Sequence, residues 1–117
     1  MRQGKDAKLL RIHLCESDRH AGKPLYEAIV AKCRELNIAG ATVFRGLEGY
    51  GETAEVHRAH LIRHDQPIVI TIVDVPEKVE ALLPAVEAMM DTGLLAISDV
   101  RALRVEKKRE TTEAADG

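Results

Sequence analysis

Ile68-Val69-Ile70-Thr71-Ile72-Val73-Asp74-Val75 is β-branched at every position except Asp74. Branching at Cβ restricts χ1 and suits an extended backbone, so this stretch reads as the clearest strand in the chain. Side chains on a strand alternate between its two faces, and here both sets are apolar. Ile68, Ile70 and Ile72 fill one face; Val69, Val73 and Val75 lie on the other. A strand of this kind requires cover on both sides.

Working outward, Pro76 suits the first position of a helix and Glu77 falls in its first turn. Val79, Leu82, Leu83, Val86 and Met90 recur at helical spacing, with Pro84 inside the pattern and expected to kink it. Gly93 is placed as a terminator, and Leu94 to Val105 reads as a last strand region, broken near Ser98-Asp99. On the other side, Lys8 to Cys15 alternates: Leu10, Ile12 and Leu14 against Leu9, Arg11, His13 and Cys15. Glu16 to Gly22 is polar and turn-like, and Pro24 opens a helix striped by Leu25, Ile29, Cys33 and Leu36, widened by Tyr26 and Val30. Asn37 and Gly40 stop it, and Ala41 to Arg45 is a second strand. Gly46 to Gln66 is less regular, with a short alternating piece from Ala59 to Arg63.

The order β-α-β-β-α-β predicts an α+β, ferredoxin-like fold: an antiparallel sheet with both helices on one face. Those helices cover one side of the Ile68 to Val75 strand only. A second copy of the chain is the simplest cover for the other side, and closed cyclic assemblies are the usual product.

A length of 117 residues is one domain, assigned to residues 7–105, with 106–117 expected to be a disordered tail. Hydrophobic residues make up 45%, enough for a core, but aromatics only 3%, so that core is aliphatic. With 17 basic and 19 acidic residues intermixed, no field draws nucleic acid, and the rings Tyr26, Phe44 and Tyr50 offer no stacking platform for bases. No run approaches the length of a membrane span. Cys15 and Cys33 lie in no CxxC or zinc spacing, and with no secretory signal they read as reduced thiols of a cytoplasmic protein.

Gly22-Lys23-Pro24-Leu25-Tyr26-Glu27-Ala28-Ile29-Val30 and Gly40-Ala41-Thr42-Val43-Phe44-Arg45-Gly46-Leu47-Glu48-Gly49-Tyr50-Gly51 together carry a resemblance to the PII-like family catalogued as domain of unknown function 190. Pro67-Ile68-Val69-Ile70, Val73-Asp74, Leu82-Leu83-Pro84 and Gly93-Leu94-Leu95 continue it in order, so that it spans Lys8 to Val105. The resemblance implies a ferredoxin-like homotrimer similar to PII nitrogen-signalling proteins. It implies an adenine nucleotide in clefts between subunits, and a long loop, here Gly46 to His64, presented to a partner protein. A membrane transporter or channel is the partner class it suggests. One departure stands out. The PII phosphate-binding run T-G-x-x-G-D-G-K is replaced by Thr92-Gly93-Leu94-Leu95-Ala96-Ile97-Ser98-Asp99, where only the Thr-Gly start survives.

The residues themselves offer a ligand set with alternatives. Gly46, Gly49 and Gly51 can expose backbone N–H groups to an anion, or serve as a hinge at a loop base. Arg45 can pair with a phosphate or carboxylate, bridge subunits, or be solvated. Lys23 precedes a helix start, where an anion is favoured, or is simply exposed. Arg101 and Arg104, as the resemblance implies, reach a neighbouring subunit's cleft, or form an interchain salt bridge. His57, His60 and His64 raise a metal site of the copper-tolerance type, which shares this fold, against the default of surface histidines. Ser17, Asp18 and His20 are neighbours in sequence but make no triad by that alone, and no cofactor motif or catalytic acid/base pair is read. The expectation is a non-enzymatic, PII-like regulator that binds an adenine nucleotide at Lys23, Arg45, Gly46, Gly49, Gly51 and Arg101. The alternatives are a ligand-free trimeric scaffold and a metal-binding trimer.

Overall fold

In a computed structural model, which describes residues 4–46 and 65–107, the decisive stretch forms a strand over Pro67–Asp74. In chain order the elements are β1 (Lys5–Cys15), the short strands β2 (Arg19–His20) and β3 (Lys23–Pro24), α1 (Leu25–Glu35), β4 (Ala41–Arg45), β5 (Pro67–Asp74), α2 (Pro76–Met89) and β6 (Leu94–Ala102). The main sheet has the order β4-β5-β1-β6 and every neighbouring pair is antiparallel. Without the small β2–β3 hairpin this is the predicted ferredoxin-like arrangement.

Register decides which residues share the core. Leu10, Ile12 and Leu14 of β1 stand opposite Ile72, Ile70 and Ile68 of β5. These six are buried, together with Leu25, Ile29 and Cys33 of α1 and Val79, Leu82 and Val86 of α2. The core is aliphatic throughout, with Tyr26 packed at its margin. Both helices therefore lie on the face carrying the three isoleucines, and the valine face is left open. Across that open face run Phe44, Val69, His13 and Leu94, one from each strand and each in register with the next. Phe44 is 55%, Leu94 59% and Val73 37% exposed, the apolar surface that the sequence pattern anticipates.

Four local features differ from the sequence reading. The stretch around residue 20 is a hairpin whose turn residues Ala21 and Gly22 both have positive φ, as tight two-residue hairpins require. Pro24 consequently sits in β3 as the N-cap of α1 instead of inside the helix. Gly93 does not cap α2, which ends at Met89 with Met90 as its C-cap; it lies where the chain turns into β6, at φ +131°. A Cβ there would stand 2.6 Å from the His13 carbonyl oxygen. Finally, β6 runs unbroken through Ser98-Asp99, where Asp99 is the register partner of Lys8 and accepts a hydrogen bond from its ammonium at 2.6 Å. The stop of α1 follows expectation: Leu36 is the C-cap and Asn37 takes the left-handed conformation at φ 60°. Helix α2 continues through Pro84 as one element.

Candidate functional site

At one end of the sheet the chain leaves β4 at Gly46 and returns to β5 at Asp65. The two sides of this opening are tied together. Gly46 N–H donates to the Pro67 carbonyl at 2.7 Å, and a side chain at position 46 would press on the Pro67 ring. The turn after β1 then reaches both sides. Glu16 N–H donates to the Gln66 carbonyl at 2.9 Å, and Ser17 donates its N–H and its hydroxyl to the two Asp65 carboxylate oxygens at 3.0 and 2.8 Å. Across the opening, Arg45 Nη2 donates to Glu16 Oε2 at 2.9 Å, in a pair whose side chains are 47% and 37% exposed.

That turn is itself held. Cys15 N–H donates to Asp18 Oδ2 at 2.9 Å, and Asp18 N–H to the Cys15 carbonyl at 3.0 Å. Asp18 also accepts the Leu25 N–H through its carbonyl at 2.8 Å, which fixes the hairpin against the start of α1. Burial, and secondarily the Asp18 and Asp65 carboxylates, push the Cys15 thiol up to about 11. It is protonated at neutral pH and is a poor nucleophile there. Ser17 and Asp18 are engaged in these tethers, so their closeness in sequence serves the turn's geometry. What the site presents to a ligand is a guanidinium with a carboxylate already on it, beside a backbone of glycine and turn residues.

The predicted ligand residues fall into three groups. Arg45 and Gly46 are at this loop base. Lys23, exposed in the β2–β3 hairpin that follows the same turn, belongs to the same end of the sheet. Gly49 and Gly51 lie outside the described residues, as do His57, His60 and His64 and the 59–63 stretch. Arg101 is elsewhere. It pairs in register with Asp6, whereas Arg45 lies in the row of Ile68 and Leu14. Asp6 and Leu14 are separated along β1 by about 27 Å at strand rise. Within one chain, Arg101 does not converge with Arg45. It borders instead the end of the sheet where a groove of about 550 Å³ lies among Lys5, Asp6, Val73, Asp74, Leu103 and Arg104.

Glu16 and Asp65 are site residues that sequence reading missed, and Ser17, weighed there only for a triad, is the tether to Asp65. No spacing signals them: Glu16 meets Arg45 only because β1 and β4 flank β5, and that pairing is long-range. Asp74, just ahead of α2, accepts the Ala39 N–H at 2.8 Å and the Val75 N–H at 2.7 Å. Among the described residues no cluster of three or more His, Cys, Asp or Glu side chains is arranged to hold a metal ion, and no helix is long and apolar enough to cross a membrane.

Comparison with known proteins places these features in context. The profile of the family DUF190 (Uncharacterized ACR, COG1993) matches residues 7–102. A UPF0166 protein of Aquifex aeolicus is 36% identical, over 82% of this chain and 92% of that protein. A UPF0166 protein of Methanocaldococcus jannaschii is 31% identical, over 86% of this chain and 94% of its own length. Among solved structures, CPII from Thiomonas intermedia K12 bound to ADP, AMP and acetate superposes with a TM-score of 0.58 at 22% identity, covering 88% of this chain and 94% of that one. CPII of the same organism bound to ADP and bicarbonate gives 0.59 at 24% identity, covering 87% and 93%. A functionally unknown protein of Pediococcus pentosaceus gives 0.53 at 10%, covering 87% and 97%. The structural likeness establishes the fold.

Proposed function

We propose that this chain, which belongs to the DUF190 family, is a PII-like regulatory protein that binds an adenine nucleotide between the subunits of a homotrimer. The observation that carries the reading is the loop base: an accessible arginine, Arg45, and the glycine backbone at Gly46 stand where a segment of eighteen residues leaves the sheet, residues 47–64. A fold shared with CPII, a protein crystallised with ADP and AMP, supports the choice of ligand. The phosphates meet Arg45, Gly46 and Lys23, with Gly49 and Gly51 adding backbone donors. Arg101 completes the site from a neighbouring copy, since its own chain holds it too far away. The open face of Phe44, Val69, Val73 and Leu94 is the surface that the trimer covers.

In this reading the protein is cytoplasmic and non-enzymatic, and acts through a partner, for which a membrane transporter or channel is the favoured class. The ligand acts by population shift: it must bind one arrangement of the 47–64 segment better than another, and the partner reads the difference. Calorimetry of the purified protein with ATP, ADP, AMP and cyclic AMP tests it. Submillimolar binding that weakens with salt is expected of charge-assisted contacts at an open cleft. Arg45→Ala and Arg101→Ala are each expected to lower affinity about tenfold, the worth of one charge-assisted contact near 1.5 kcal/mol. If a well-folded protein binds none of the four below millimolar concentration, the trimeric scaffold reading replaces this one.

A further inference from the structure

The Arg45–Glu16 pair has a consequence for any anion that uses Arg45. A guanidinium has several donors, but its exposed fork is oriented by the carboxylate it already holds at 2.9 Å. Glu16 is not a loosely placed surface acid. Its own N–H is bonded to Gln66, the next residue is doubly bonded to Asp65, and the turn is closed by Cys15 and Asp18. The backbone that carries the carboxylate is therefore fixed, and only the side-chain rotamers of Glu16 and Arg45 are left to be ordered in the pair.

Resting on the nucleotide reading above, we propose that Glu16 is an internal competitor for the ligand's phosphate and an affinity-determining residue of the site. Phosphate and Glu16 contend for the same guanidinium. A ligand gains from the exchange only if it brings more charge or more acceptor oxygens than the carboxylate it displaces. A nucleoside di- or triphosphate does so; a monocarboxylate of similar charge to Glu16 does not. The competitor thus sets a threshold for use of Arg45 and lowers the absolute affinity of every ligand that crosses it by the same amount. Displacement also releases the one side-chain contact described between the turn at residue 16 and the β4 side of the opening, while the Ser17–Asp65 tether on the β5 side stays in place.

The test is calorimetry with ADP and AMP on wild type, Glu16→Gln, Glu16→Asp, Arg45→Ala and the Glu16→Gln/Arg45→Ala double variant, with thermal melts confirming that each is folded. Glu16→Gln is expected to tighten ADP about five- to tenfold. Glu16→Asp, which keeps the charge but withdraws it by one methylene, is expected to tighten it as well. In the Arg45→Ala background Glu16→Gln is expected to have no effect. Unchanged or weaker ADP binding by Glu16→Gln overturns the proposal. So does tightening that persists without Arg45, or that Glu16→Asp fails to reproduce, since either marks a general field effect. If neither wild type nor Glu16→Gln binds either nucleotide, the nucleotide reading itself fails and this proposal with it.

Discussion

Lys8 on β1 and Asp99 on β6 are register partners, and Lys8 Nζ lies 2.6 Å from Asp99 Oδ1. Asp99 remains largely exposed, and Glu80 of α2 approaches the same ammonium at 3.9 Å. The hydrogen bond to Asp99 raises the Lys8 pKa above its ordinary value. The contact is thus fully present at neutral pH and is lost only as pH climbs past the normal lysine range. Exposed pairs of this kind add little to stability. Asp99→Asn is therefore expected to leave the melting temperature nearly unchanged and the β1–β6 amides protected in hydrogen exchange. Loss of that protection would mean that the pair, and not the ladder, holds the end of β6.

The same pair illustrates what the sequence conceals. Ser98-Asp99 looks like a break because strands disfavour Asp, and the lysine that pairs with Asp99 is not a sequence neighbour. Lys8 lies ninety-one residues away. The main elements were legible because their signals are local: the β-branched run of β5, the Leu10/Ile12/Leu14 alternation, the stripes Leu25/Ile29/Cys33 and Val79/Leu82/Val86. The choice of which face of β5 meets the helices was not, since isoleucines and valines satisfy the same pattern and only the register with β1 and α2 decides. The candidate site was half legible. Arg45 and Gly46 announce themselves beside a glycine-rich run, whereas Glu16 and Asp65 join them only through the sheet order. The positive-φ hairpin at Ala21-Gly22 escaped because alanine is an uncommon residue for that conformation.

Gly93 is expected to be intolerant of any side chain. Its φ of +131° is a conformation L residues rarely adopt, and a Cβ would meet the Met90 methyl group and the His13 carbonyl oxygen. The methyl can swing away, but the carbonyl is part of the β1 ladder. Gly93→Ala is expected to cost about 1–3 kcal/mol. For a domain of this size that corresponds to a fall in Tm of several degrees, at about 4–8 °C per kcal/mol. A melting temperature equal to wild type would show that the turn into β6 can rearrange.

Cys15 is expected to be slow to react with thiol reagents at pH 7–8, because its pKa of about 11 leaves almost no thiolate there. The rate with a small disulfide reagent should climb between pH 9 and 11 in the folded protein, whereas an unfolded control climbs earlier. Because the folded state retains the proton to higher pH than the unfolded chain does, this thiol favours folding less and less as pH rises through the same interval. The buried Cys33, whose pKa is also raised by burial, contributes in the same direction. Rapid labelling of Cys15 at pH 7 would show that the Asp18 and Asp65 carboxylates and the surrounding burial do not act on it as the geometry indicates.

Val73 offers the cleanest test of the proposed assembly. It stands opposite Leu9 on the open face, away from both helices, and is 37% exposed in the single chain. An aspartate there costs the isolated fold little, since its carboxylate can reach water. Buried against another subunit, the same charge would have no partner on the neighbouring Leu9 and Val69 surface, and an unpaired buried charge is strongly disfavoured. Val73→Asp is therefore expected to yield folded monomers where wild type gives a mass of three chains by light scattering at low micromolar concentration. Ala81→Asp, on the exposed side of α2, adds the same charge and is expected to leave the assembly intact. Circular dichroism distinguishes dissociation from unfolding. A wild-type monomer with a cooperative melt, or a Val73→Asp variant that still assembles, would mean that the row from Phe44 to Leu94 faces solvent in the working protein, and the subunit-interface site for the nucleotide would fall with it.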